Sequence, residues 1–531
     1  MTIPRWNPPV ALSRQEQFLM KRLDRVRKLF GFLRLHRHEL FDEAFQQELE
    51  GMYRNTNAGK VPVAPAQLAM TILLQGYVGA SDAEAVELTV VDLRWQMVLG
   101  CLGAVEPPFS QGTVHDFRHR MIRADLDRRL LERTVDLARR TGDFDSRKLP
   151  KSLRVAMDSA PLEGAGRVED TLNLIGHAAR QVVACLATML NRSTEDVCKI
   201  VGTPILLAPS IKAGLDRQWG TPEDQQEALM ELLRQLTNLR TWIETQLPKE
   251  LTLAPELRSS LATLKQVLEQ DLEPDPNHPN RTKLMQGVAP NRRVSIRDGE
   301  MRHGRKSKSK RFNGYKRHIA ADVDSQVILS CAVTPANQPE EDAASGLTSD
   351  IERQGLRVQS LYIDRGYINA PIVNDIVGRG GDIICRPWKI NRNTKGNFSK
   401  ADFRLNMRAM TITCPAGQTE SISPGRPVEF EPETCCHCPL RAQCTVSSVE
   451  RGRTVSIGEN ERLQQRLRKQ AATPAGRNKL RERVVVEHKL AHIVQRQGRR
   501  ARYFGTRANL YDLRRASAIQ NLETVQRKLA A

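Results

Sequence analysis

The sequence predicts an α/β protein: a strand-and-helix core joined to a helical N-terminal domain, a helical insertion and a β-rich insertion that contains cysteines. Three observations predict it. Two apolar runs, Leu153-Arg154-Val155-Ala156-Met157 and Leu361-Tyr362-Ile363, read as short buried strands, and each delivers an aspartate, Asp158 and Asp364. The second passes into a turn built on Gly366. Strand and helix patterns alternate over 318–363, with strands at 318–323, 327–333 and 358–363 and a helix at 342–354, the signature of an α/β domain with mixed pairing. Elsewhere, long segments show helical spacing alone.

At 531 residues the chain is too long for one compact core. A net charge of +20 implies a polyanionic partner. An acidic membrane surface and nucleic acid both fit that charge. No apolar run has transmembrane length, and a polar start followed by Pro8-Pro9 is not a signal peptide, so nucleic acid is favoured and a cytoplasmic, nucleoid-associated protein is expected. The ten cysteines lack the spacing of a small secreted domain, which implies thiols that stay free or bind metal.

In the N-terminal domain, 1–150, Phe18, Leu19, Leu23, Val26, Leu29, Phe30 and Leu33 recur at helical spacing. Residues 67–78 read as a buried helix, and Ser81 with Glu84 forms a capping-box signature that starts another. Ser110 opens a helix bearing His115, Arg118, His119, Arg120 and Arg123; it reads either as a recognition helix for a major groove or as the solvated face of a bundle helix. The core occupies 151–171 and 290–390. Between its parts, 172–289 is a helical insertion and linker, with Thr221-Pro222-Glu223-Asp224 a good helix start and a helical hairpin the economical arrangement. The stretch 274–279 reads as linker. Arg302 to Arg317 then holds eight Lys or Arg and no acid, either a solvated run or a phosphate contact.

The β-rich insertion spans 391–475 and contains Cys414, Cys435, Cys436, His437, Cys438 and Cys444. Cys435 and Cys438 have knuckle spacing, and Cys414 and Cys444 can complete a tetrahedral thiolate site for Zn2+, with His437 or Cys436 as substitute ligands. The C-terminal segment, 476–531, places Arg483 and Glu487 one helical turn apart, with Glu487 near the middle of a charged helix and an amphipathic helix over 510–529 closing the chain. Glu482 competes with Glu487.

Asp158, Asp364 and Glu487, on two strands and one helix, can share one site. Carboxylates gathered from separate elements repel unless a cation lies between them, and hard oxygen ligands suit Mg2+ or Mn2+. That predicts metal-assisted phosphoryl chemistry. Asp298, Asp322 and Asp324 are left as surface acids.

Three patches carry a family resemblance: Val155-Ala156-Met157-Asp158-Ser159; Asn313-Gly314-Tyr315-Lys316 with Asp364-Arg365-Gly366-Tyr367; and Arg483 four residues before Glu487. Together they resemble the DDE transposases of bacterial insertion sequences, with a strand-rich insertion before the catalytic Glu. The resemblance implies an RNase H-like catalytic core in which Asp158, Asp364 and Glu487 are catalytic and bind two divalent metals, Asp158 bridging. It also implies that Lys316, Arg365, Arg483, Arg499 and Arg500 contact DNA, and that a homodimer cuts element ends and joins them to target DNA. The family's Tyr three residues before the Arg and Lys seven after the Glu are absent, since Leu480 and Val494 stand there. A catalytically silent DNA-binding descendant and a nuclease without strand transfer are the alternatives.

Overall fold

The computed structural model describes every residue except 1–2, 24–27, 55–60, 142–152, 216–220, 279–280, 308, 391–396 and 530–531. Val26, Pro279, Lys308, the expected boundary at 150/151 and the start of the polar stretch at 391 therefore lie outside the described residues.

The core is one mixed sheet. Its strands are β1 (Leu153–Glu163), β2 (Arg302–Arg305), β3 (Arg311–Asp322), β4 (Ile328–Pro335), β5 (Val358–Tyr362) and β6 (Asp382–Ile384). β3 runs antiparallel to β1 along one edge, while its other edge pairs first with β2 and then with β4. On the far side of β1 come β5 and then β6, both parallel. β1 is central, and Leu153, Val155, Ala156 and Met157 are all buried, as a strand covered on both faces requires. Helix Asp342–Arg353 carries the chain from β4 across to β5, and helix Pro371–Gly378 makes the crossover between the parallel neighbours β5 and β6.

The excursion between β1 and β2 is more than the expected hairpin. Helices Thr171–Met189, Thr194–Val201, Pro222–Gln246 and Pro255–Asp271 enclose a separate core that includes Ile175, Val182, Leu186, Leu229, Leu232 and Val267. Thr171–Met189 buries residues around much of its surface, more than one partner helix can cover. The expected linker at 274 is instead part of a small hairpin, with Leu272–Pro274 pairing with Thr282–Leu284.

The helix Thr506–Leu529 departs furthest from expectation. It is buried nearly all round rather than amphipathic, because it runs between the N-terminal helices and β4. Its polar side chains enter the core in pairs. Arg514 bonds Asp125 at 2.6 Å and Asp127 at 3.1 Å, Arg515 bonds Asp512 at 2.6 Å, and Asn521 bridges Thr134 at 3.0 Å and the Ile328 backbone. Buried charges persist when paired in this way. The N-terminal helices and the sheet consequently share one continuous hydrophobic core.

In that helical region Ser81 and Glu84 form the expected capping box. The basic helix forms as Gln111–Ala124 with Ser110 as its cap, but Arg118 is buried against Asp82 and Arg120 stacks over Tyr53. His115, His119 and Arg123 remain exposed on it. The basic run before the core is divided too: Arg317 is fully buried and donates to Gln497, Pro161 and Gly498, whereas Arg305, Lys306, Lys310 and Arg311 are exposed around the β2–β3 turn.

Candidate active site

Register sets the site. Ala156 of β1 pairs with Tyr362 of β5 in parallel, and Asp158 and Asp364 each lie two residues further on, so both acids emerge where that pairing ends; Asp364 follows the end of β5, while β1 runs on past Asp158 to Glu163 against β3. Each is held by local backbone: the Ser159 amide donates to Asp158 Oδ1 at 2.9 Å, and the Gly366 amide donates to Asp364 Oδ1 at 2.8 Å. Asp364 caps the turn while keeping its second oxygen for other partners.

Glu487 reaches the same opening from helix Val484–Gln497. It stands in the first turn rather than the middle, because the charged segment breaks at Arg483 into two helices, Pro474–Glu482 and Val484–Gln497. Arg483 spans the acids: its Nη1 lies 3.3 Å from Asp158 Oδ2 and its Nη2 grips Glu487. Ile363, Asp364, Arg365, Arg386, Leu480, Arg483 and Glu487 line an open cavity of about 320 Å3. The competing acid Glu482 is occupied elsewhere. Tyr362 donates to it at 2.7 Å and Arg154 pairs with it, both residues preceding the acids on β5 and β1.

A fourth acid, Glu340, belongs to this site and was not singled out from the sequence. Its carboxylate accepts from the Ser159 hydroxyl and lies beside Asp364, and its other oxygen presses against Gly366. In sequence it sits in Pro339-Glu340-Glu341-Asp342, which reads as an acidic helix start. Only the fold carries it across to β1.

The electrostatics follow. Burial pushes the Asp158 carboxyl up to about 6, Arg483 and the Ser159 amide oppose the rise, and the charges of Asp364 and Glu487 add to it. Burial likewise raises Glu340, with Asp364 contributing. Tyr367, fully buried beneath the acids, is held well above its usual range by burial and by Glu340, Asp158 and Asp364. Its hydroxyl hydrogen-bonds His318 at 2.7 Å, and the other ring nitrogen of His318 contacts Thr334 at 3.0 Å.

An all-oxygen set of crowded carboxylates, one of them pushed toward neutrality by burial and further by its neighbours' charge, fits a hard divalent cation. Among the described residues no group of three stands ready in coordinating geometry, since Glu487 is turned to Arg483 with its side chain 47% exposed.

Of the expected DNA contacts, Arg365 and Arg483 line this cavity, and Lys316, Arg499 and Arg500 do not. Arg365 is exposed and donates to the Pro387 carbonyl at 2.8 Å, and Lys316 donates to the Gln338 carbonyl at 2.7 Å. Arg499 and Arg500 are exposed in a loop that adds to the end of β1 through Glu163. Asp298 and Asp322 are not surface acids. Asp298 is buried against the Tyr315 hydroxyl and the Gly505 amide, and Asp322 caps a turn at Ser325; only Asp324 is exposed, paired with Arg154.

The site thus gathers carboxylates where the parallel pairing of β1 and β5 ends, with Arg365, Arg386 and Arg483 lining the cavity beside them. Residues 288–519 match the family model described as Transposase DDE domain, and that match supports a DDE transposase. It covers somewhat under half of the chain; Asp364 and Glu487 fall inside it and Asp158 before it. No curated protein and no solved structure matches the chain. No described helix is long and apolar enough to cross a membrane.

Proposed function

We propose that the protein is a DNA transposase that cleaves the ends of an insertion sequence and transfers them to target DNA. The observation that carries the reading is the level placement of Asp158 and Asp364 on neighbouring parallel strands, with Glu487 facing them. The order β4, β3, β1, β5, β6, with β3 alone antiparallel to the other four, supports an RNase H-like core.

Asp158, Asp364 and Glu487 would hold Mg2+ or Mn2+, which when bound lowers the pKa of an attacking water or 3′-hydroxyl and neutralises charge on the phosphate. The protein's own groups prepare that site. The Ser159 and Gly366 amides fix one oxygen of each aspartate. Arg483 offsets the acids' charge and offers donors at the cavity edge, where phosphate can take them up. Exposed Arg365, Arg499, Arg500 and the β2–β3 turn supply a basic rim, and Lys316 stands beside it, for positioning phosphates. Two ends of one element require two such sites, so a homodimer on DNA is the working form.

Incubation with Mg2+ and DNA bearing the element's ends tests the reading. End-specific joining supports it. Random nicking favours a nuclease, and binding without cleavage favours a silent descendant.

A further inference from the structure

The β-rich insertion is held by little apolar burial. Phe403, Ile412, Ile422, Val428, Phe430, Val455 and Ile457 make up its buried core. Its strands, Arg404–Asn406, Thr411–Thr413, Thr419–Ser421, Pro427–Glu429 and Thr454–Ser456, are three residues each. A module with so small a core ordinarily needs a staple.

Four thiols stand where a staple would act. Cys414 begins a tight turn that Gly417 closes at φ +92°, with the Gly417 amide donating to the Cys414 carbonyl at 2.9 Å. Cys435 and Cys438 flank the end of helix Pro432–Cys436, and Cys444 ends helix Arg441–Cys444. All four line one cavity of about 40 Å3, together with Phe430, Arg441 and Arg453. Cys436 and His437 are exposed and are not part of this lining.

Two cations complete the setting. Arg441 Nη1 and Arg453 Nε are buried with no hydrogen-bond partner among the described residues. A tetrathiolate zinc centre carries a net charge of two minus, and two guanidinium groups beside it would balance that charge.

We propose that Cys414, Cys435, Cys438 and Cys444 bind one structural Zn2+ that closes the insertion, with Arg441 and Arg453 as its charge partners. The four thiols lose their protons and supply all the ligands, so the site is closed and has no catalytic position. Among the described residues no three side chains already stand in coordinating geometry. Binding therefore draws the two turns and the two helix ends together around the ion.

The test uses the full chain purified without chelator. Elemental analysis should find about one zinc per chain, as one closed site requires. Thiol alkylation mapped by mass spectrometry, with and without chelator, should show these four cysteines protected only while metal is bound. Replacing zinc with Co2+ should give thiolate-to-metal charge-transfer bands that survive Cys436→Ser and weaken in Cys435→Ser. Zinc-free protein, equal alkylation of the four in both states, or zinc retained in the Cys435→Ser, Cys438→Ser double variant would overturn the proposal. The alkylation arm uses only the natural sequence, so a variant that misfolds does not decide the outcome.

Discussion

Arg483 approaches Asp158 to 3.3 Å while holding Glu487 one turn along its own helix, so a single guanidinium links the first and third acids of the site. Asp158→Asn, Asp364→Asn and Glu487→Gln should each abolish cleavage yet leave binding of end DNA close to wild type, because each removes a carboxylate and spares the basic rim. Gel-shift and cleavage assays on the same preparations separate the two effects. Glu482→Gln should keep cleavage, since its carboxylate serves Tyr362 and Arg154. Loss of cleavage in Glu482→Gln with normal cleavage in Glu487→Gln would reverse the assignment.

Gly366 leaves no room for a side chain. A Cβ there would stand 2.2 Å from the Glu340 carboxylate and 3.1 Å from Asp364 Oδ1. Gly366→Ala should displace Glu340 and the Asp364 turn, with cleavage falling about tenfold or more, as small displacements of reacting groups do. Binding of Mn2+, followed by electron paramagnetic resonance, should weaken in parallel. Wild-type cleavage and Mn2+ affinity in this variant would show that Glu340 has no part in the site.

His318 is lowered from 6.5 to about 3 by burial and, less, by Lys316. The neutral ring is favoured in the fold, so the unfolded chain binds its proton first as pH falls. The stability from His318 is therefore complete above about 6.5 and is lost progressively between 6.5 and 3, by up to about 1.4 kcal/mol per pH unit. Denaturant unfolding of wild type and His318→Asn at pH 7, 5.5 and 4.5 checks this. The difference between them should shrink with acidification, and a difference that stays constant would exclude the linkage.

Arg514 is buried among Asp125, Asp127 and Asp350. Arg514→Leu removes the buried partner those acids share, leaving Arg128, Arg507 and Arg353 beside them, and should cost on the order of 1–3 kcal/mol. By contrast, removal of the exposed Arg240–Glu244 pair on the helical insertion should leave the melting temperature unchanged. Equal thermal shifts in the two variants would contradict the burial argument.

The sequence displays the parts of this molecule that depend on local pattern. The runs into Asp158 and Asp364 read as strands because buried parallel strands are nearly continuous apolar segments, and Ser81 with Glu84 reads as a cap because both partners lie within one turn. Glu340 stays hidden because its role depends on how β1, β3 and β5 align, a long-range matter to which its own neighbours give no clue. The helix Thr506–Leu529 misleads for a related reason. Arg514 looks solvated until its distant partners Asp125, Asp127 and Asp350 are known, although Arg515 and Asp512 pair within the helix itself. The fourfold cysteine set lies between these cases: the spacing of Cys435 and Cys438 is visible in sequence, but Cys414 and Cys444 join them only through the turns of the fold.

The bond from Asn521 to Thr134 crosses 387 residues of chain. At a synthesis rate of about 5–20 residues per second, the N-terminal helices would emerge roughly 20–80 seconds before the helix that fills the space between them and the sheet. During that interval their apolar faces have no permanent cover, and a nascent chain halted anywhere short of this helix exposes them. A ribosome-bound or prematurely ended copy therefore presents apolar helix faces that invite chaperones and proteases.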